Sequence, residues 1–164
     1  MATTPIPQRS CGDCALCCHL GEIPDVKAFN AWCRHCSTHQ GCDIYPSRPS
    51  PCRDFHCHYL LSDLGQEWYP RDCGFIVATY QNPPRVTILA DADAPQRWRE
   101  SPYLEQIRHW AHQGAVTVQV AARTYAVSPH GIDDLGEDSD TTMIVILEQE
   151  TTAGMRYRAI RAPR

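Results

Sequence analysis

Apolar side chains follow a regular period only beyond about residue 74. Phe75 to Tyr80 and Arg85 to Ala90 read as two strands around the turn Gln81-Asn82-Pro83-Pro84, an antiparallel pair. Tyr103, Leu104, Ile107, Trp110 and Ala111 recur at helical spacing. Ser101 is placed to cap that helix, Pro102 to open it and Gly114 to close it, with a short turn around Gln96 to Arg99 ahead. Val116, Val118 and Val120 alternate with polar residues, and Thr124 to Ser128 offers the return strand of a hairpin. The Ile-Val-Ile-Leu run within Thr142 to Glu148 reads as a central strand covered on both faces, and Arg156 to Ile160 as an edge strand. The order ββαββββ predicts an α+β fold, a small antiparallel sheet with one helix. Between the strands, Asp133 to Asp140 carries five acids without the spacing of a calcium loop, so it reads as a solvated loop.

Residues 1 to 74 show no such period and are rich in Cys, His, Pro and Gly, with His19, His35, His39, His56 and His58 among them. A segment of this kind cannot build a conventional core and needs a staple. The expectation is an irregular, metal-stapled module over 1–74 and an α+β scaffold over 75–164, packed as one compact unit.

Composition narrows the function. In 164 residues, 15 basic and 19 acidic side chains give a net charge of −4, and no stretch concentrates Lys or Arg, which argues against nucleic acid as a partner. The longest strongly apolar run, Met143 to Leu147, falls far short of the roughly 18 residues that cross a bilayer. The first ten residues lack the apolar core of a secretory signal and Ala2 excludes myristoylation, so the chain is expected in the cytoplasm, away from the membrane. All 10 cysteines lie between Cys11 and Cys73. In a reducing compartment such density points to metal ligands ahead of disulfides.

The first cluster is Cys11-Gly-Asp-Cys14-Ala-Leu-Cys17-Cys18. A two-residue gap lets a tight turn bring two sulfurs onto one ion, while adjacent Cys17 and Cys18 are expected to diverge. Two sites side by side, or one polynuclear cluster, follow. Cys33-Arg-His-Cys36 and Cys42 form the second cluster, and Cys52 and Cys57 come after, the last between His56 and His58. Either Cys14 with Cys17 or Cys11 with Cys14 can pair with Cys33 and Cys36 at the spacing of a four-cysteine zinc site. His35 reads as an exposed or supporting group more than a ligand, as do His56 and His58. His109 and His112 share a helical face but lack an acidic partner.

Cys11-x2-Cys14-x2-Cys17-Cys18, Cys33 and the stretch Gly41-Cys42-Asp43-Ile44-Tyr45-Pro46-Ser47-Arg48-Pro49-Ser50-Pro51-Cys52-Arg53-Asp54-Phe55 resemble the CxxCxxCC cysteine-cluster family. Its members are mainly bacterial and are described as zinc- or iron-chelating domains, sometimes as iron-sulfur proteins. The resemblance covers residues 11 to about 57 and implies Cys11, Cys14, Cys17, Cys18, Cys33, Cys42 and Cys52 as ligands. Cys36, Cys57 and Cys73 lie outside its pattern; spacing adds Cys36 and Cys57 to the candidate set. Pro49 and Pro51 stiffen the loop that presents Cys52, and Gly41 suits a close approach. Arg48 and Arg53 are placed to donate to thiolates or loop carbonyls, or to pair with Asp43 and Asp54. Tyr45 and Phe55 are expected to cover the site.

No GxSxG, phosphate loop or dinucleotide fingerprint occurs, so catalysis would run through the metal. Cys73 follows Arg71, a cation able to activate a thiol, yet reads as buried or inert. The preferred function is a metal-binding protein whose centre is mainly structural, with the C-terminal sheet as scaffold or docking surface for a protein partner. Zinc stands ahead of iron or an iron-sulfur cluster. A redox or metal-assisted enzyme, and a metal store or carrier, are the alternatives.

Overall fold

A computed structural model describes residues 5–37, 40–139 and 141–164, which leaves His39 and Asp140 outside the described residues. The chain divides into two compact units, Met1–Val77 and Ala78–Arg164. It is α+β, and most of its regular structure is sheet.

The first unit is built from short pieces. Helix α1 (Leu16–Leu20) carries Cys17 and Cys18, and buries Leu16 and Leu20. A two-residue ladder pairs β1 (Cys36–Ser37) with β2 (Gly41–Cys42). Helices α2 (Ser50–Asp54), α3 (His58–Leu61) and α4 (Pro70–Cys73) follow. Proline opens both α2 and α4, where its missing N–H costs nothing. Leu16, Leu20, Ile23, Leu60, Trp68 and Phe75 are buried, with the Trp68 and Phe75 rings edge to face at 5.8 Å. A small apolar core therefore exists here, assembled from scattered positions that show no period.

Strand β3 (Phe75–Gln81) contains the division between the units and opens a five-stranded sheet of order β3-β4-β5-β6-β7. Strand β4 (Pro84–Ala90) follows across Asn82-Pro83, a connection too short for a parallel crossover. Helix α5 (Tyr103–Trp110) then leads to β5 (Ala115–Val120), which pairs parallel with β4. The expected all-antiparallel sheet is thus corrected to a mixed one. Residues 91–114, with a 3-10 turn at Arg97–Arg99 and α5, carry the chain back to the same end before β5 begins. Tyr103, Ile107 and Trp110 are the buried face of α5. Its caps fall at Pro102 and Ala111, not at Ser101 and Gly114. Gly114 instead passes Pro84 so closely that a Cβ would meet its carbonyl oxygen at 2.6 Å.

β5 pairs antiparallel with β6 (Arg123–Val127), and β6 with β7 (Ile132–Glu137). The acidic segment expected as a solvated loop is therefore largely a strand. Arg123 holds it, with its guanidinium 2.6 Å from Asp134 and 3.6 Å from Glu137. The strand covered on both faces is β5, where Val116, Thr117 and Val118 are all buried. Strand β8 (Thr142–Thr151) is not central: it pairs with β9 (Gly154–Pro163) in a two-stranded ribbon, and Met143 and Leu147 are 42% and 46% exposed. β9 packs against β5 and β6 and buries Ala159. Arg161 fastens it to β7 by donating to the carbonyls of Leu135 and Gly136.

Candidate metal centre

All nine candidate thiols belong to the first unit and none is disulfide-bonded. Cys11 and Cys14 end a turn closed by the Cys14 amide donating to the Cys11 carbonyl at 2.9 Å. Cys33 and Cys36 end a similar turn at 3.1 Å, and the His35 amide points at the Cys33 sulfur at 3.5 Å. These are the tight turns that a two-residue gap predicts. Gly12, at φ +51°, allows the first, and Gly41, at φ +92°, faces the Gly12 carbonyl, where an added Cβ would lie 3.5 Å from its oxygen. The Cys33 amide donates to the Cys18 carbonyl at 2.9 Å. Three separated stretches of chain thereby meet.

Cys36 and Cys42 are direct cross-strand partners, so their side chains leave the same face of the ladder, with Cβ atoms about 5 Å apart. The divergence expected of Cys17 and Cys18 does not occur. Instead their thiols act on each other's ionisation, and Cys18 and Cys36 do the same. As one member of this pair ionises first, Cys17 is lowered to about 7 and Cys18 is pushed up. Burial raises the others: Cys14 to about 12, Cys57 to about 11, and Cys11, Cys36 and Cys52 above the usual thiol value. In each of these the charge of a neighbouring cysteine adds to the rise. Cys33 and Cys42 appear among those neighbours, both acting on Cys36 and Cys52.

Three groups around the thiols carry no signal in the cysteine spacing. Lys27, the only lysine in the chain, donates to the carbonyls of His19 at 2.9 Å, Gly21 and Ala28, and feels the charges of Cys17, Cys18, Cys33 and Cys52. Tyr69 donates to the Cys11 carbonyl at 2.6 Å, and its hydroxyl also meets Asp13 at 3.0 Å. Asp13 in turn pairs with Arg71. Arg71 is therefore engaged by Asp13 and does not serve to activate Cys73. Cys73 is fully buried, as expected, and its sulfur lies 3.3 Å from the Phe75 carbonyl.

Arg48 donates to the Cys52 carbonyl at 3.2 Å and lies 3.8 Å above the Tyr45 ring, and Arg53 donates to the Arg48 carbonyl at 2.8 Å. Both arginines thus brace the loop through carbonyls. Tyr45 and Phe55 are 45% and 37% exposed, and the Tyr45 hydroxyl reaches the Cys11 sulfur at 3.8 Å. His19 stacks on Trp32 at 4.5 Å, and His112 faces His130 at 6.4 Å.

The donors present are soft thiols, which suit zinc or iron, and backbone amides turned toward Cys14, Cys33 and Cys57 supply the supporting bonds such sulfurs take. Among the described residues, no three His, Cys, Asp or Glu side chains already stand arranged around a metal position. No helix of the described residues is long and apolar enough to cross a membrane. The chain matches no protein-family model, no curated protein and no solved structure.

Proposed function

We propose that the first unit is a metal-binding cysteine cluster whose centre is mainly structural, with zinc ahead of iron or an iron-sulfur cluster. One observation carries this reading: nine thiols from six backbone segments each act on, or are acted on by, at least one other thiol, while the tenth, Cys73, is turned to backbone carbonyls. Crowding so many thiols has no packing advantage, since each raises the cost of ionising the next. A bound cation reverses that cost: it replaces the protons and draws the sulfurs inward. The resemblance of residues 11 to about 57 to a chelating family points the same way.

The second unit then serves as scaffold or docking surface, a role supported by Met143, Leu147 and Met155, each more than two-fifths exposed on the β8–β9 ribbon. A redox reading is favoured by the register of Cys11, Cys14 and Cys17, which iron-sulfur proteins use. Protein purified without oxygen, analysed for metal and acid-labile sulfide, decides between them. Colourless protein with zinc and no sulfide supports the structural centre. Brown protein with stoichiometric iron and sulfide promotes the redox reading, and metal-free protein that takes up neither zinc nor iron rejects both.

A further inference from the structure

The β8–β9 ribbon leaves one strand edge open. Its register runs without a bulge from Thr142↔Pro163 to Thr151↔Gly154, and at its open end the Arg164 amide donates to the Thr141 carbonyl at 3.0 Å. In an antiparallel ladder, pairs that exchange backbone bonds alternate with pairs that exchange none. The Thr141–Arg164 bond therefore places Met143, Val145, Leu147 and Gln149 in bonded pairs with β9. It turns the amides and carbonyls of Ile144, Ile146, Glu148 and Glu150 the other way. Among the described residues, no other strand pairs with β8 and no backbone group bonds to these outward amides and carbonyls.

Side chains alternate as well, so Met143, Val145 and Leu147 leave one face, while Ile144 and Ile146 share the other with their partners Arg161 and Ala159. Ala159 is buried and Arg161 is bonded to β7, which makes the second face the inner one. The outer face exposes Met143 and Leu147. Open edges are ordinarily guarded by Lys, Pro, a bulge or an inward-pointing charge. The stretch from Thr142 to Leu147 has none of these, and the acids Glu148 and Glu150 come only after it. β9, by contrast, carries Arg156, Arg158, Arg161 and Pro163.

We infer that β8 pairs antiparallel with β8 of a second copy of the chain about a two-fold axis at Val145, joining two ribbons into one four-stranded sheet. The outward amides and carbonyls of Ile144 then bond to those of Ile146 in the second copy, and those of Ile146 to its Ile144. On the outer face Met143 lies across from Leu147 of the second copy, so the exposed apolar side chains cover each other. On the inner face Glu148 lies across from Thr142 of the second copy. The Thr142 hydroxyl accepts from Arg161 at 3.0 Å and its carbonyl from Arg164 at 3.2 Å, so acid meets base at both ends of the pairing. A parallel pairing in register would set Glu148 against Glu148 and Glu150 against Glu150, like charges directly opposite. With β9 at both outer edges, guarded by its arginines and Pro163, growth stops at two chains. This inference rests on the docking role proposed for the second unit, whose occupant it names, and is independent of the metal.

The test is sedimentation of the reduced full chain over a wide concentration range, with amide exchange and metal content read on the same sample. A dimer of twice the chain mass should form, with the amides of Ile144 and Ile146 protected. Dilution should release these two, while the amides of Met143, Val145 and Leu147, bonded to β9, stay protected. Val145→Lys sets two ammonium groups face to face at the axis and should weaken the dimer by about tenfold or more. Persisting protection at Met143 and Leu147 in that variant shows the ribbon still folded. A chain that stays monomeric at every concentration overturns the inference. So does a dimer in which Ile144 and Ile146 exchange freely, or one that Val145→Lys leaves unchanged, since it forms through another surface. None of these results alters the metal content, which alone tests the proposed centre.

Discussion

In Ala78–Arg164 the buried side chains come from elements long enough to show a period: Val86, Ile88 and Ala90 alternate on β4, and Tyr103, Ile107 and Trp110 line α5. In Met1–Val77, helices of four or five residues and a two-residue ladder are tied by single backbone bonds between distant segments. The first kind of structure gains its stability from apolar burial along regular elements. The second has few such elements, so its order depends on directional bonds and, under the proposed function, on bound metal. The difference predicts that the two units respond to different perturbations.

The largest effect is expected from the thiols. Structural zinc sites contribute roughly 10–16 kcal/mol of apparent binding free energy in small domains. Cys17→Ser, whose thiol acts on Cys11, Cys14, Cys36, Cys52 and Cys57, should therefore lower bound metal and soluble yield more than any other single change. Metal analysis of the purified variant checks this, and an equal loss in Cys73→Ser would show that proximity misassigned the ligands. Trp98→Ala should follow. Trp98 is fully buried, with its ring 5.7 Å from Tyr125, and its loss is expected to cost about 3–5 kcal/mol. Denaturant unfolding should register that loss while metal content stays unchanged. A parallel loss of metal would erase the distinction between the units.

How much of this was legible in the sequence follows the same division. The helix around Ile107 and the hairpin from Val116 were readable because burial on one face leaves a period. The parallel pairing of β4 with β5 was not, since period reports a face and not a direction. β7 was hidden because its acids face Arg123 and solvent, so charge masked strand pairing. In the first unit, spacing gave the turns at Cys11–Cys14 and Cys33–Cys36, which are local. The bonds of Arg9 to the Tyr59 carbonyl and of Tyr69 to the Cys11 carbonyl span 50 and 58 residues, separations that no local pattern encodes. Lys27 had one available signal, its being the only lysine in the chain.

A smaller effect tests that long-range tie. Tyr69→Phe removes the hydroxyl bonded to the Cys11 carbonyl, a loss of about 1 kcal/mol. It should speed metal transfer to a chelator several-fold without changing the number of ions bound. Unchanged transfer rates would mean that the first turn is held without Tyr69. The smallest effect belongs to Cys73→Ser, whose hydroxyl can meet the same carbonyls as the thiol. Metal content should be wild-type, and only a modest shift in unfolding midpoint is expected.

The claim that metal holds the first unit together is tested most directly by amide hydrogen exchange on the loaded full chain, before and after complete metal removal by a strong chelator under reducing conditions. Protection should collapse across residues 11–60, including the amides of Cys14, Cys33 and Leu60 that close its turns, while β4, β5 and α5 keep theirs. Unchanged protection in residues 11–60 once all metal is gone would contradict the claim.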